Sequence, residues 1–163
     1  QHLWGREHVS RETELIERFY TAFQQRDAAA MGRCYHDQAR FDDPAFPGLD
    51  AAGVRAMWAM LCARGKDLRV EFRDVRAEGN RGSAHWEAWY TFSASGRPVH
   101  NIIDAEFEFR DGLILRHIDR FDFHRWAAQA LGLAGKLLGG TGFLQRKVQR
   151  QAAHGLAAWR AQN

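Results

Sequence analysis

Cysteine and proline are scarce in this chain: two of the first and three of the second among 163 residues. Cys34 and Cys62 cannot build a disulfide framework, and each falls within a helical pattern. Buried reduced thiols in a cytoplasmic protein are therefore expected. No apolar run approaches the ~20 residues that span a bilayer. No signal peptide is visible, and a start at Gln1 without methionine is read as a trimmed or tagged end. No internal repeat, low-complexity linker, helix-borne His-Glu-x-x-His or cysteine-pair motif is present. Acidic residues are missing from Leu131 onward, where Lys136, Arg146, Lys147, Arg150 and Arg160 occur. Subtracting those five from the net +3 leaves the rest of the chain at −2. That distribution is not the basic stripe with accessible aromatics of a nucleic-acid binder.

What is present is a globular composition, 45% hydrophobic and 12% aromatic, enough for a real core. Ser10 predicts the N-cap of a helix reaching about Gln25, with Leu15, Ile16, Phe19 and Phe23 on its inner stripe. Asp27 caps a short second helix carrying Met31, Cys34 and Tyr35. A brief strand from Ala39 to Asp43 stops at Pro44. Asp50 caps a third helix with Val54, Met57, Trp58 and Leu61 at helical spacing, and Gly65 stops it.

From Leu68 the apolar period falls from 3.6 to 2, with a slip at Asp74-Val75 that marks a bulge. Strands follow at about 83–93, 98–110 and 113–123, separated by the turns Gly79-Asn80, Ser95-Gly96 and Asp111-Gly112. Helices followed by a meander predict an α+β fold, a curved, mostly antiparallel sheet wrapped around N-terminal helices. The domain is expected over 1–130, with 131–163 as its C-terminal helical extension. Gly132, Gly135, Gly139, Gly140 and Gly142 read as a flexible passage into a last helix, roughly 143–159.

The chemistry concentrates on the strands. In Leu113, Leu115, His117, Asp119, Phe121, Phe123 a histidine and a carboxylate stand in line with large apolar residues. Burying such a pair is costly unless it is hydrogen-bonded or used. The preceding strands carry His85, Glu87, Trp89, Thr91 and His100, Ile102, Asp104, Glu106. If these faces coincide, three histidines and several carboxylates converge in a pocket, where mutual charge pushes pKa values apart for acid–base work. If the opposite faces (Trp86, Tyr90, Phe92; Ile103, Ala105, Phe107, Phe109) are the covered ones, the ionisable faces of the first two strands lie in water. Metal ligation by the same His and Asp/Glu residues is a third reading, without a supporting motif.

The order of elements and several motifs resemble the nuclear transport factor 2-like superfamily, over about Glu14 to Trp126. Tyr35-His-Asp-Gln-Ala-Arg-Phe-Asp-Asp43-Pro44 is similar to the tyrosine-to-Asp-Pro segment of ketosteroid isomerases. This implies a general base at Asp43. Asn101-Ile-Ile-Asp104 resembles the segment bearing their protonated aspartate, which implies that role for Asp104. Phe19 occupies the position of their oxyanion tyrosine, and Tyr20 is its neighbour. The segment Gly112 to Asp122 resembles the last strand of limonene-epoxide hydrolases, aligning Asp119 with a catalytic carboxylate. There the arginine of the triad is absent and Phe41 replaces a water-positioning tyrosine. Polyketide cyclases of the SnoaL type are similar at His117 and Asp119.

These readings together imply a cofactor-free enzyme with a deep apolar cavity and no metal, acting on a small, largely apolar molecule. Proton transfer at carbon (isomerisation, dehydration, cyclisation) or epoxide hydrolysis is the expected reaction class. Asp119, His117, Glu87, Asp104, Asp43, His85 and His100 are the expected catalytic set. Phe19, Trp58, Trp89, Ile102 and Phe121 are the expected pocket walls. A non-catalytic ligand carrier or dimeric interaction module is the alternative. Trp86, Tyr90, Ile103, Phe107 and Phe109 would form an outer sheet face buried in a homodimer. Phe143, Leu144, Val148, Leu156 and Trp159 should dock the last helix on the body, with no nucleic-acid or membrane partner.

Overall fold

The computed structural model describes residues 10–163, so the first nine residues of the expected 1–130 domain lie outside the described region. Helix α1 (Arg11–Gln24) begins where Ser10 forms a reciprocal capping box with Thr13. Asp27 and Asp50 accept from backbone N–H groups at the starts of α2 (Ala28–Arg33) and α3 (Ala51–Arg64). Between these two helices run β1 (Tyr35–Asp42) and the short β2 (Leu49–Asp50). The meander follows as β3 (Arg69–Glu78), β4 (Arg81–Phe92), β5 (Arg97–Arg110) and β6 (Leu113–Arg120).

The sheet order is β2-β1-β6-β5-β4-β3, with β1 parallel to β6 and every other pair antiparallel. The sheet is open, with β2 and β3 as its edges. The expected bulge on β3 is present: the register to β4 slips between Arg73 and Arg76, and Asp74 takes a φ of 57°. Such bulges bend a strand and help the sheet curl around the helices.

The buried faces of β4 and β5 are the aromatic ones. Trp86, Ile103, Phe107 and Phe109 lie in one core cluster with Ile16, Phe19, Tyr20, Phe23 and Trp58 from the helices, and half-buried Tyr90 packs against it. This overturns the expected outer apolar face: those side chains fill the cone instead of covering the outside of the sheet.

Strand β6 ends at Arg120, because Asp122 caps a further helix, α4 (Phe123–Leu131). Two helices follow, α5 (Leu133–Leu138) and α6 (Gly142–Gln162). The glycines here serve close packing. A Cβ on Gly135 would overlap the Ala127 carbonyl of α4, and one on Gly139 would meet His124 and Ala127. Helix α6 docks through buried Leu144, Val148 and Leu156 and half-buried Trp159, over whose ring Arg64 of α3 lies at 5.9 Å. Phe143, expected to dock with them, is instead 62% exposed. Among the described residues no helix is long and apolar enough to cross a membrane.

Candidate active site

Strand β6 delivers two polar side chains to the bottom of the cone. His117 lies opposite Phe107 and Asp119 opposite Ala105, and Ala105 in turn pairs with Ala84. This row of small residues beside Asp119 leaves room for large rings above the sheet. His117 is fully buried and Asp119 is 2% exposed. The alternation that places them is not the simple one. Relative to β5, β6 carries one extra residue between Ile114 and Arg116, so Ile114, His117 and Asp119 face inward together.

The two are part of one chain of hydrogen bonds. Trp58 Nε1–H donates to the Tyr35 hydroxyl at 2.9 Å, and that hydroxyl lies 2.8 Å from His117 Nδ1. His117 Nε2 lies 2.9 Å from Asp119 Oδ1, which also accepts from Trp86 Nε1–H at 3.2 Å. Indole nitrogen only donates, and a carboxylate only accepts. The consistent assignment therefore has Tyr35 donating to Nδ1 and His117 carrying its proton on Nε2, directed at Asp119. With both donors on Oδ1, Asp119 Oδ2 is buried without a partner. Among the described residues the other buried side-chain polar atom without one is the Tyr20 hydroxyl. Native interiors rarely leave such atoms bare, and each calls for an explanation.

Burial raises the Tyr20 phenol well above its ordinary pKa, with the nearby Asp119 charge adding to the effect. Burial does the same to Tyr35, against the Trp58 hydrogen bond. Both phenols are thus neutral donors. Aromatic rings close the surroundings: Phe107, Phe41 and Phe19 pack 4.5, 5.0 and 5.8 Å from the His117 ring, and Trp58 stacks beyond at 6.5 Å.

Asp43 stands just after β1, in the turn before β2. Its Oδ1 accepts from the backbone N–H groups of Ala45 and Phe46 at 2.7 and 2.6 Å. The residue is only half-buried, yet its carboxyl is enclosed. Desolvation pushes its pKa up to about 7, against the two N–H donors and with the Asp119 charge adding to the rise. Tyr90, held by Trp126 Nε1–H at 2.8 Å, feels Asp43 in turn, and burial is the main reason its pKa rises to about 12.

The other sequence-predicted residues lie on the far side of the sheet. His85, Glu87 and His100 form a chain there: His85 Nδ1 to Asp104 at 2.9 Å, His85 Nε2 to Glu87 at 2.8 Å, and His100 Nε2 to Glu87 at 2.7 Å. Arg73 joins Glu87 at 3.3 Å, and the Asp104 side chain is 78% exposed. Hydrogen bonds from His85 and His100 pull the Glu87 pKa down to about 2. For His85, burial works downward, but its bonds to Asp104 and Glu87 outweigh it and raise the pKa. Trp89 stacks on His100 at 4.4 Å under Arg69, and Ile102 is exposed on the same face. The expected convergence of all three ionisable faces is therefore corrected: only His117 and Asp119 point inward. Phe19 and Trp58 do line the interior, while Phe121 is half-buried at its margin. Among the described residues no group of three His, Cys, Asp or Glu is placed to hold a metal ion.

Sequence reading missed Tyr20, Tyr35 and Trp86 as site residues. The signal for Tyr20 was available, since it follows Ile16 by four positions on the inner stripe of α1. No such signal marks Trp86, whose role depends on which face of β4 is covered.

Comparison with known proteins identifies a family and a fold. The profile of the family described as a SnoaL-like domain matches residues 16–117. No curated protein matches. Among solved structures, a protein from Xanthomonas campestris pv. campestris provisionally named a polyketide cyclase is 24% identical, with 73% of this chain and 96% of that one covered and a TM-score of 0.62. An LEH-like epoxide hydrolase of M. tuberculosis is 17% identical, covering 78% and 96%, with a TM-score of 0.60. TerC, co-crystallised with polyporic acid, is 23% identical, covering 72% and 98%, also with a TM-score of 0.60. At these identities the likeness is one of fold.

Proposed function

We propose that this chain, which belongs to the SnoaL-like domain family, is a cofactor-free acid–base enzyme acting on a small, largely apolar molecule. The observation that carries this reading is the pair of buried, unpartnered polar atoms, Asp119 Oδ2 and the Tyr20 hydroxyl. One is a bare acceptor whose sister oxygen is fixed by His117 and Trp86, and the other is a neutral donor. A ligand that presents an acidic C–H or O–H and a carbonyl oxygen satisfies both. A shared fold hosts many chemistries, so the site's own groups must support the assignment.

In the proposed step Asp119 Oδ2 takes a proton from a carbon next to a carbonyl. The electron pair left on carbon moves into the carbonyl, and the oxyanion accepts a hydrogen bond from Tyr20. Returning the proton to a different carbon completes an isomerisation. Attack of the carbanion on a second carbonyl forms a ring, and the new alkoxide takes the proton back. Asp43, with its pKa about 7, is available as a second acid or base near neutrality. His117 and Tyr35 act through Asp119 and are positioning residues. Activation of water for epoxide opening is the nearest variant, since it asks the same of Asp119. The similarity to a protein provisionally named a polyketide cyclase, to an LEH-like epoxide hydrolase and to a protein co-crystallised with polyporic acid supports an oxygenated substrate class.

A carrier without turnover is the second reading. It is favoured by the same two unpartnered atoms, Asp119 Oδ2 and the Tyr20 hydroxyl, which a bound ligand can satisfy by hydrogen bonds alone, without proton transfer. The test is a screen of β-diketones, β-hydroxyketones and small epoxides with wild type and Asp119→Asn. Turnover abolished by Asp119→Asn supports the enzyme. Tight binding without turnover, unchanged in Asp119→Asn, establishes the carrier.

A further inference from the structure

The apolar residues that the core leaves outside are not scattered. Of the six large hydrophobic side chains exposed among the described residues, four fall within 133–143: Leu133 at 71%, Leu137 at 69%, Leu138 at 44% and Phe143 at 62%. They sit on α5 and the first turn of α6, and Leu133 and Leu137 share a helix face by their i, i+4 spacing. Monomeric soluble proteins seldom collect exposed apolar groups in this way without a use for them.

Along this part of the chain the charge has one sign. From Phe123 to Asn163 the chain contains no aspartate or glutamate, while Arg125, Lys136, Arg146, Lys147, Arg150 and Arg160 are all present and exposed. None of these six forms an ion pair with a described residue. Lys136 stands between the exposed leucines, and Arg146 and Lys147 follow Phe143 within one turn.

We propose that the α5–α6 corner is a docking surface for an anionic lipid bilayer. Leu133, Leu137, Leu138 and Phe143 would enter the interface, and the basic residues would lie against the headgroups. Charge complementarity selects a negative partner. A second copy related by a two-fold axis would bring Lys136, Arg146 and Lys147 against their own equivalents, which repel. Leu133, Leu137 and Phe143, each more than 60% exposed, stand out from the surface as knobs. A fluid surface accepts knobs without shape complementarity, whereas a protein partner needs a matching pocket for each. Among the described residues no helix is long and apolar enough to span, so the contact proposed is peripheral. This departs from the expectation drawn from sequence, which docked Phe143 on the body and expected no membrane partner.

The experiment is flotation of the full chain with phosphatidylcholine vesicles, with and without about one quarter phosphatidylglycerol, at low and high salt. Binding is expected to the anionic vesicles, to weaken with salt, and to be slight on neutral ones. Leu137→Ser/Phe143→Ser and Lys136→Glu/Lys147→Glu should each lower the apparent affinity by about tenfold or more. Both variants should keep the wild-type melting temperature, because the altered side chains are exposed. A wild type that does not float with anionic vesicles, or variants that float as well as wild type, would overturn the proposal. So would a larger species in sedimentation that Leu137→Ser/Phe143→Ser dissolves, since the patch would then be a protein interface. Retention of polyglutamate without flotation would likewise mean an acidic polypeptide partner.

Discussion

Tyr20 and Asp43 carry the predictions at the scale of single residues, and each has a separable signature. The Tyr20 hydroxyl is buried without a partner. Removing an unsatisfied buried polar group costs no hydrogen bond and relieves its desolvation, worth about 1 kcal/mol. Tyr20→Phe is therefore expected to raise the melting temperature by about 2–4 °C while lowering turnover. A variant stabilised with activity intact would reduce Tyr20 to a packing residue. Asp43 yields a second prediction. Its folded pKa, about 7, lies above the unfolded value of about 3.9, so the native state holds the extra proton between those values. Stability then falls as pH rises through that window, by up to about 1.4 kcal/mol per pH unit, and the loss is complete above the folded pKa. Asp43→Asn keeps an oxygen for the Ala45 and Phe46 N–H groups and removes the titration. The stability difference between Asp43→Asn and wild type should therefore grow in favour of the variant from about pH 5 to pH 8. Chemical denaturation at the two pH values reads it directly, and a constant difference would place the titration elsewhere.

Helix starts were the most legible features at the scale of elements, because capping is local chemistry: Ser10, Asp27 and Asp50 stand where the structure uses them. The α+β order and the hairpin turns at Gly79, Gly96 and Gly112 were legible for the same reason, each of these glycines having φ between 61° and 74°. The covered face of β4 and β5 was not legible. Both faces of each strand carry large side chains, and alternation has no sign until another element covers one side. His117 and Asp119 were identified as buried because their apolar neighbours made solvent exposure unreasonable, even though the extra residue on β6 defeats strict alternation. The glycines after Leu131 were misread as flexible, since composition alone does not distinguish a linker from a close helix crossing. That distinction is testable. Gly135→Ala forces a methyl onto the Ala127 carbonyl and should cost about 2–3 kcal/mol. Gly155→Ala, on α6 with no atom near its Cβ position, should gain about 0.5–1 kcal/mol from helix propensity. Equal effects in urea unfolding would restore the linker reading.

The whole molecule sets the condition under which the interior can act, because a fully buried His117 is unreachable until some element moves. Helix α6 and the turn after β1 form one cover. Gln145 and Gln149 each donate a side-chain N–H to the Pro44 carbonyl, at 3.2 and 3.1 Å, from more than one hundred positions along the chain. Pro44 adjoins Asp43, whose carboxyl organises the same turn, so the C-terminal helix steadies an acidic group at the margin of the site. Each such bond is worth about 1 kcal/mol net, and losing both should favour local opening of the turn by roughly thirtyfold. In Gln145→Ala/Gln149→Ala the amides of Ala45 and Phe46 are expected to exchange with solvent faster by about that factor, while those of β5 and β6 keep their protection. Water admitted to the turn would also weaken the desolvation of Asp43, moving its pKa down from about 7 toward the ordinary carboxylate range. The two readouts are coupled by mechanism: faster exchange without a change in the Asp43 titration would mean that the turn opens away from the carboxyl. Unchanged exchange would show that the turn holds itself through Asp43 alone, and the opening that admits a substrate would then have to be sought at Phe121 and the start of α4.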